Sequence, residues 1–305
     1  MAPAADGLNT RRLIAAVLAA WPQHASFLAR HFASCETDDA VFIDTLAGEV
    51  LALAGDDLAV FAADYRWMCA LFLKHELQYR RSRQLRHALS EEIRSLYYDN
   101  AAEMSRYMHG LLVSQLTWPQ HLGAQIIFKR QFLSMLADGY RYLEIGPGHG
   151  VTMAVVGADP HCASLSGYDI SAASIALTRD ALARLGVSRA VTLQLQDICA
   201  APRSDARFEA ICISQVLELV SSPQAAIAHL AEALAPGGVL FVNAPVEIRA
   251  PDHIRAWHDG AEVDALLAGA GLQTIASHKV HVDRVARDDR QGYSYVSLAR
   301  RVATS

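Results

Sequence analysis

A short apolar strand that runs into a glycine-rich turn constrains the fold of this chain more than any other sequence feature. Tyr142–Ile145 form the predicted strand, and Gly146, Gly148 and Gly150 follow it. Glycine allows the backbone to turn sharply and to approach a ligand closely. The dinucleotide fingerprint requires Gly-x-Gly-x-x-Gly, whereas here the third glycine comes one residue early and Val151 stands in its place. The turn predicts a ligand loop of another kind, although a purely structural turn would show the same glycines.

The segment after Gly139 alternates short apolar runs with helical stretches, which is the pattern of a doubly wound parallel sheet. The predicted strands are Tyr142–Ile145, Leu165–Asp169, Val191–Leu195, Ala210–Ile213 and Val239–Val242. The helices between and after them include Ala172–Leu185, Gln224–Leu234 and Ala261–Ala270. Two further strands are predicted near Thr274–Val282 and Tyr293–Arg300, the last returning antiparallel beside its neighbour.

Residues 11 to about 136 instead carry apolar side chains at helical spacing throughout. The predicted helices include Leu13–Leu18, Phe42–Val50 after an N-cap cluster at Thr37–Asp39, Leu58 to Leu77 or Leu85, Ile93–Tyr97, Met104–Leu111 and Ile126–Leu136. Trp21-Pro22 and Trp118-Pro119 interrupt the pattern, because proline cannot continue a helix. The sequence therefore predicts an all-helical domain over residues 1–136 and an α/β domain over residues 137–305.

Acidic residues end the second and third predicted strands. Asp169 can accept hydrogen bonds from both ribose hydroxyls of an adenosine, as acids at this position of such sheets do. Because Ser171 and a helical run follow, Asp169 could instead cap that helix. Asp197, at the end of the third strand, can meet an adenine amino group.

Five stretches of the second half together resemble the class I S-adenosylmethionine methyltransferases. They are Glu144–Gly150, Asp169, Asp197, Ser214–Glu218 and Ala235–Gly238, and the similarity covers about residues 135–300. The resemblance implies a Rossmann-like seven-stranded sheet of order 3-2-1-4-5-7-6 with strand 7 antiparallel. It also implies S-adenosylmethionine as the cofactor.

Carried over residue by residue, the resemblance implies a set of cofactor contacts. They are Glu144, Gly146, Pro147, Gly148 and Gly150 for the methionine end, Asp169 for the ribose, Ile170, Asp197 and Ile198 for the adenine, and Ser214 with Gln215 near the sulfonium. Glu144 could instead only brace the loop. Ser214-Gln215 replaces the Asn-Pro-Pro-aromatic motif of adenine and glutamine N-methyltransferases and the paired acids of the magnesium-dependent catechol type.

In-line methyl transfer from a sulfonium mainly requires that the acceptor be positioned and water excluded, and positioning can supply about 7–11 kcal/mol in favourable cases. A hydroxyl, amide or carbon-acid acceptor also needs a base. His253, in the polar loop after the fifth strand, is the preferred base because histidine titrates near neutral pH. Asp252 or Glu247 could orient it, and Gln215 is the third catalytic candidate. The alternative is that Asp252-His253 only caps the turn before Trp257.

The acceptor is expected between the strand ends and the helical region. Candidate acceptor contacts are Asn243, Glu247 and Arg249 in the loop, and Tyr107, His109, Trp118 and His121 in the helices. These helical segments are rich in aromatic and histidine side chains. In many small-molecule members of the family that the chain resembles, such a segment lies over the cofactor. The resemblance therefore favours a small-molecule acceptor, as in secondary metabolism, without distinguishing O-, N- and C-methylation.

Composition excludes several other classes of protein. The net charge is −5, and the densest basic stretch, Arg80–His87, reads as a solvated helix face, so no nucleic-acid partner is expected. Five scattered cysteines without a Cys-x-x-Cys pair fit reduced thiols. No signal peptide and no membrane-spanning run is recognised, so the sequence predicts a soluble, cytoplasmic enzyme without a membrane partner. The spacing of the 13 histidines does not fit a metal site.

Four alternatives remain open at this point. The α/β half could bind the cofactor as a non-catalytic scaffold or regulatory module. It could carry different chemistry on the same fold, or methylate a protein or RNA, although the acidic balance disfavours RNA. The helical half could also be a docking surface or a homodimer interface.

Overall fold

Tryptophan-proline pairs and glycines divide the N-terminal half into helices. The computed structural model of the chain describes residues 3–82, 100–200, 206–283 and 292–301. Within these ranges the first half contains α1 (Leu8–Ala20), α2 (Ala25–Ala33), α3 (Ala40–Ala54), α4 (Leu58–Ser82), α5 (Ala101–Thr117) and α6 (Pro119–Ile127). The predicted helix at Ile93–Tyr97 and residues 83–87 of the basic stretch lie outside the described residues.

The predicted helix breaks lie where the backbone leaves the helical region. Trp21 and Trp118 are both non-helical, and each precedes a proline in the first turn of the next helix. Gly55 ends α3 with φ +55°. The predicted N-cap cluster at Thr37–Asp39 is wrong in detail, because these residues form a 3-10 turn without a side-chain cap. The Asp39 carboxylate instead forms an ion pair with Arg130, at 2.7 Å from its Nε.

The predicted helix Ile126–Leu136 differs most from the structure. After α6 the chain widens into a π-helical turn at Phe128–Phe132 and then tightens into a 3-10 turn at Leu133–Met135. Phe128 and Phe132 are both buried, and their rings lie 5.1 and 5.5 Å from the ring of Phe241 in the sheet. This segment therefore fastens the helical half to the sheet.

The second half forms the predicted α/β unit. Its elements are β1 (Tyr140–Ile145), α7 (Val151–Gly157), β2 (Cys162–Asp169), α8 (Ala172–Arg184), β3 (Ala190–Leu195), β4 (Phe208–Ser214), α9 (Pro223–Ala233), β5 (Leu234–Val246), α10 (Gly260–Gly269), β6 (Leu272–His281) and β7 (Tyr293–Arg301). The described strands form one sheet of order β3-β2-β1-β4-β5-β7-β6. β7 pairs antiparallel with both β5 and β6, so the predicted order and the antiparallel strand are confirmed. The carboxyl ends of β1 to β5 consequently meet at one edge.

The hydrophobic clusters cross from one half to the other. The cluster within the helices includes Val151 of α7 and Ala181 of α8. The cluster on one face of the sheet includes Phe128 and Phe132 from the connecting segment. The division into domains at residue 136 stays a prediction. No described helix combines the length and apolar character needed to cross a bilayer.

The Asp64 carboxylate joins α4 to α5. It accepts a 3.0 Å bond from Arg106 Nε and lies 2.9 Å from His109 Nδ1. We expect Asp64→Ala to lower the free energy of unfolding by about 2 kcal/mol, since both partners would lose a charged acceptor. Urea denaturation measures this, with the exposed Asp57→Ala as the control. An unchanged unfolding midpoint for Asp64→Ala would contradict the assignment.

Candidate functional site

A cavity of about 240 Å³ lies between the carboxyl ends of the strands and the N-terminal helices. Its floor is the glycine turn after β1 and the residues that follow β2, β3 and β4. Its roof comes from α4, α5 and α6, so both halves of the chain build it. Parallel sheets of this kind bind ligands at this edge.

The glycine turn holds three left-handed glycines. Gly146, Gly148 and Gly150 have φ of +66°, +50° and +76°, which side-chain-bearing residues rarely adopt. A Cβ on Gly146 would lie 2.7 Å from Val216 Cγ2, so the turn also depends on close packing. Gly146 and Gly148 line the cavity. Gly150, predicted as a cofactor contact, instead caps α7 and is not among the described lining residues.

Asp169 lies at the tip of β2 with its carboxylate held in place. Oδ1 accepts a 2.9 Å bond from the Ser171 amide, and Oδ2 accepts a 2.6 Å bond from the Ser174 hydroxyl. The N-cap of α8 is Ser171, whose side chain accepts from the Ser174 amide, so Asp169 does not cap that helix. Burial raises the pKa of Asp169. Two oriented oxygens in a cavity can receive paired hydroxyls.

The residues after β2 and β3 form the outer edge of the cavity. Ile170 is 40% exposed, and Asp197 is exposed with Oδ1 accepting a 2.8 Å bond from the Cys199 amide. Ile198 is buried. Gln196 was not predicted, yet its buried Oε1 lacks a hydrogen-bond partner. A flat ring between these side chains could gain an apolar contact and a hydrogen-bond acceptor.

Glu144 lies buried beneath the glycine turn. Its Oε2 accepts a 2.9 Å bond from the Tyr142 hydroxyl, and burial raises its pKa to about 8. It lines the cavity, so it can face a ligand as well as brace the strand.

The raised pKa of Glu144 gives stability an observable pH dependence. Above its ordinary pKa of 4.5 and up to about 8, the folded protein keeps a proton that the unfolded chain has released. Stability from this proton is fully present below pH 4.5 and is lost as the pH rises through about 8. We expect the unfolding free energy of the wild type, minus that of Glu144→Gln, to fall by about 1 kcal/mol per pH unit across this window.

Urea unfolding at several pH values tests this expectation. The matched control is Glu209→Gln, because Arg141 lowers the pKa of Glu209 and its titration lies below the window. Parallel curves for the wild type and Glu144→Gln would show that Glu144 is ionised in the folded protein.

Gln215 has a left-handed backbone, with φ +56°, directly after β4. Such a conformation costs about 1–3 kcal/mol and persists only where the surroundings enforce it. The Gln215 amide donates to the Asn243 carbonyl at 2.8 Å, and the Asn243 side chain donates to Ser214 Oγ at 3.0 Å. Ser214 and Gln215 line the main cavity, and Asn243 lies beneath them in an adjoining pocket.

His253 lies in the loop after β5 and faces the cavity. Burial, followed by the charge of Arg249, lowers its pKa to about 3, so the ring is neutral. Within the described part of the chain, its Nδ1 has no partner at hydrogen-bond distance, and its Nε2 lies 3.9 Å from Glu218 Oε1. The Glu218 carbonyl accepts bonds of 3.1 Å from the amides of Ile254 and Arg255, which holds this loop over the residues after β4.

Asp252 and Glu247 were predicted to orient His253, but the structure gives each of them another partner. Glu247 lies 3.4 Å from Arg249 and contacts His258, because the loop turns its carboxylate outward with a positive φ at this residue. Asp252 accepts from the hydroxyl of Tyr107 at 3.2 Å. The acid 3.9 Å from His253 is Glu218, which the sequence did not single out.

Four predicted acceptor contacts do not line the cavity: Asn243, which lines the adjoining pocket, and His109, Glu247 and Arg249. His109 is held by Asp64 and stacks on Phe61 with ring centroids 3.8 Å apart. Glu247 and Arg249 pair with each other, and the Arg249 guanidinium lies 4.6 Å from the ring centre of Tyr79. The structure therefore does not bring His109, Glu247 or Arg249 together with the predicted contacts that line the cavity.

The other predicted roof residues do line it. Tyr107, Trp118 and His121 face the cavity, and His121 Nδ1 lies 2.8 Å from the Ser114 hydroxyl. Sequence analysis missed several neighbours on the same helix faces and in the glycine turn: Phe72, Met104, Met108, Gln120, Gln125 and His149. The described residues contain no cluster of His, Cys, Asp or Glu able to hold a metal ion.

Part of the chain is similar in sequence to known proteins. A family described as "Methyltransferase domain" matches residues 118–275. A curated relative, the uncharacterized protein syc1184_c of Synechococcus, is 30% identical over 108 residues, which are 35% of this chain. The match spans 26% of that relative's length.

Solved structures resemble the chain in fold. The [4+2]-cyclase SpnF superposes with a TM-score of 0.50 at 19% identity, over 60% of this chain and 81% of its own. A chain of the Haloferax volcanii complex between the methyltransferase activator Trm112 and its methyltransferase gives a TM-score of 0.55 at 12% identity, over 68% of this chain and 98% of its own. At such identities the likeness concerns the fold alone, and a fold does not determine the reaction it supports.

Proposed function

The chain belongs to the methyltransferase-domain family and is a class I S-adenosylmethionine-dependent methyltransferase, and from this premise we propose that its acceptor is a small molecule held under the N-terminal helices. Secondary metabolism is the expected setting, because the roof is rich in aromatic and methionine side chains. The observation that carries the proposal is the cavity shared by the glycine turn and helices α4 to α6.

The covering of the cavity favours a small acceptor over a macromolecule. A Cβ on Gly148 would lie 3.6 Å from Met108 Sδ, so α5 lies directly over the glycine turn. Tyr107 on the same helix donates a hydrogen bond to Asp252 in the loop after β5. A protein or RNA substrate would have to displace this roof, whereas a small molecule would be enclosed by it.

The residues of the cavity fit S-adenosylmethionine, which supplies an activated methyl group on a sulfonium. Asp169 has two oriented oxygens for the ribose hydroxyls, and Gly146 and Gly148 leave room for close backbone approach. Ile170 and Ile198 provide apolar contacts for the adenine, with Gln196 Oε1 as an unpartnered acceptor nearby. Glu144 would face the methionine end.

The chain's own residues would orient the acceptor and take its proton. Gln215 and Ser214, fixed by Asn243, form a rigid floor at the reacting end. His253 is a hydrogen-bond acceptor there, and its low pKa makes it a poor place to leave a proton. Burial raises the pKa of Glu218 well above its usual value, so that carboxyl can hold the proton. We therefore assign the base role to the His253–Glu218 pair.

Calorimetric titration tests the cofactor first. We expect micromolar binding of S-adenosylmethionine and S-adenosylhomocysteine and no binding of NAD. Methyl-labelled cofactor then separates the acceptors, with a mixture of small metabolites in one reaction and a protein fraction in the other. Label found only in protein would favour the protein-acceptor alternative. Binding without any transfer would favour a regulatory module.

A further inference from the structure

The described lining of the cavity contains acidic side chains but no lysine or arginine. These acids are Glu144, Asp169, Asp197, Glu218 and Asp252. Arg249 is not among these lining residues; it lies 3.4 Å from Glu247, and its guanidinium lies over the ring of Tyr79. An anionic acceptor would therefore find no lysine or arginine side chain among the described lining residues.

The histidines do not supply the missing positive charge. Burial lowers the pKa of His121 to about 3, of His149 to about 4 and of His253 to about 3. All three are neutral near pH 7. Because an unpaired charge is costly to bury, a carboxylate or phosphate on the acceptor would be rejected.

The unpartnered polar atoms of the cavity are mostly hydrogen-bond acceptors. Glu218 is 1% exposed, and its Oε2 has no hydrogen-bond partner. Gln125 Oε1 and Gln196 Oε1 are likewise buried and unpartnered. His253 Nδ1 can accept as well. A ligand that satisfies these atoms must bring N–H or O–H donors.

The acceptor end combines two neighbouring acids with an aromatic wall. Glu218 and Asp252 both line the cavity, and His253, the residue after Asp252, lies 3.9 Å from the Glu218 carboxyl. In the same cavity, Phe72 lies 6.2 Å from the ring of Tyr107 and 5.2 Å from the ring of Trp118. Aromatic faces attract cations as well as apolar surfaces.

We propose that the acceptor is an amine, a small molecule with an apolar, aromatic body whose primary or secondary amino group lies against Glu218 and Asp252. This inference rests on the proposed methyltransferase function. The charge of the bound ammonium favours the ionised form of Glu218, which releases its resting proton to water. The ammonium then gives a proton to this carboxylate. The nitrogen lone pair then forms the new N–C bond while the S–C bond breaks, its electron pair stays on sulfur, and the methylated ammonium leaves with S-adenosylhomocysteine. Glu218 returns its proton to water.

Three probes with the same ring test the charge preference. They are 2-phenylethylamine, 2-phenylethanol and 3-phenylpropionate, each titrated into protein saturated with S-adenosylhomocysteine. We expect the amine to bind about tenfold more tightly than the alcohol, because its hydrogen bonds to a carboxylate are charge-assisted. The carboxylate should not bind measurably.

Two variants locate the preference. Glu218→Gln should weaken amine binding about tenfold and leave alcohol binding and S-adenosylhomocysteine binding unchanged. Asp252→Asn should act in the same direction. Glu232→Gln, an exposed change on α9, is the matched control and should have no effect. Retained cofactor binding by each variant shows that it is folded.

The outcomes separate this inference from the function on which it rests. Binding of S-adenosylhomocysteine without a preference for the amine, or with a preference for the carboxylate, would overturn the inference alone. An unchanged amine affinity in Glu218→Gln would do the same. Failure to bind S-adenosylhomocysteine would overturn both.

Discussion

Replacing Asp169 by alanine should weaken the binding of S-adenosylhomocysteine by about 10- to 100-fold, since a hydrogen bond to a charged group is worth about 1.5–3 kcal/mol. The Asp169 oxygens are already fixed by the Ser171 amide and the Ser174 hydroxyl, so little ordering remains to be lost when the ribose binds. Each oxygen keeps a lone pair for a hydroxyl of the ligand. Isothermal titration at constant pH measures the change directly.

Two further variants make the Asp169 experiment specific. Ser174→Ala removes only the 2.6 Å bond that orients Oδ2, so its effect should be smaller than that of Asp169→Ala. Asp180→Ala alters an exposed carboxylate on the same helix and should leave the affinity unchanged. If Asp169→Ala bound as tightly as the wild type, the ribose would have to lie elsewhere in the cavity.

Replacing His253 by alanine should lower turnover by about 10²- to 10⁴-fold, the usual contribution of general acid–base catalysis, because it removes one member of the His253–Glu218 pair to which we assign the base role. The measurement uses the acceptor that the wild type methylates fastest. His253 lies near Glu218, whereas Asp169 bonds to Ser171 and Ser174, so the two side chains share none of these partners. The affinity for S-adenosylhomocysteine should therefore stay within about twofold of the wild type. The split between rate and affinity is what identifies a catalytic role.

The control for this experiment is His161→Ala, an exposed histidine paired with Asp138. Its turnover should equal that of the wild type. Equal losses of turnover and of cofactor affinity in His253→Ala would indicate a structural role for the loop. No loss in either would remove His253 from the mechanism and leave Glu218 as the candidate base.

The features that could be predicted from sequence are those that local chemistry determines. The glycines after β1 predicted a turn with left-handed backbone, and the structure has one. The apolar run before Asp169 predicted a strand, which places this acid at the strand's end. Proline and tryptophan marked the helix breaks at residues 21–22 and 118–119. The strand order came from the resemblance, and the structure confirms it.

The features that could not be predicted depend on which way a side chain turns. His109 and Tyr107 lie two residues apart on α5, yet one bonds to Asp64 and the other reaches Asp252. Glu247 stands near His253 in sequence, but its left-handed backbone directs it to His258. Spacing along a helix or loop does not decide such partners, because they are set by the opposing element.

Glu218 carried a signal that was present but unused. It belongs to the Ser214–Glu218 stretch on which the family resemblance partly rests, and it is a lone acid in an apolar run. The candidate site residues predicted from this stretch were those at the strand tip, Ser214 and Gln215. An isolated carboxyl among apolar neighbours predicts a buried, perturbed group, and buried perturbed groups cluster at functional sites.

The hydrophobic cluster of the helices includes residues from both halves of the chain, so it cannot be completed until both halves have been synthesised. The helical half leaves the ribosome first, but its cluster lacks Val151 and Ala181 until those residues have been made. At about 5–20 residues per second, the wait from the end of α6 to Ala181 is roughly 3–10 seconds. During that interval the apolar faces of the roof have no sheet to cover them. A chaperone would therefore matter most to this enzyme during the interval in which the helices have been synthesised and the sheet has not.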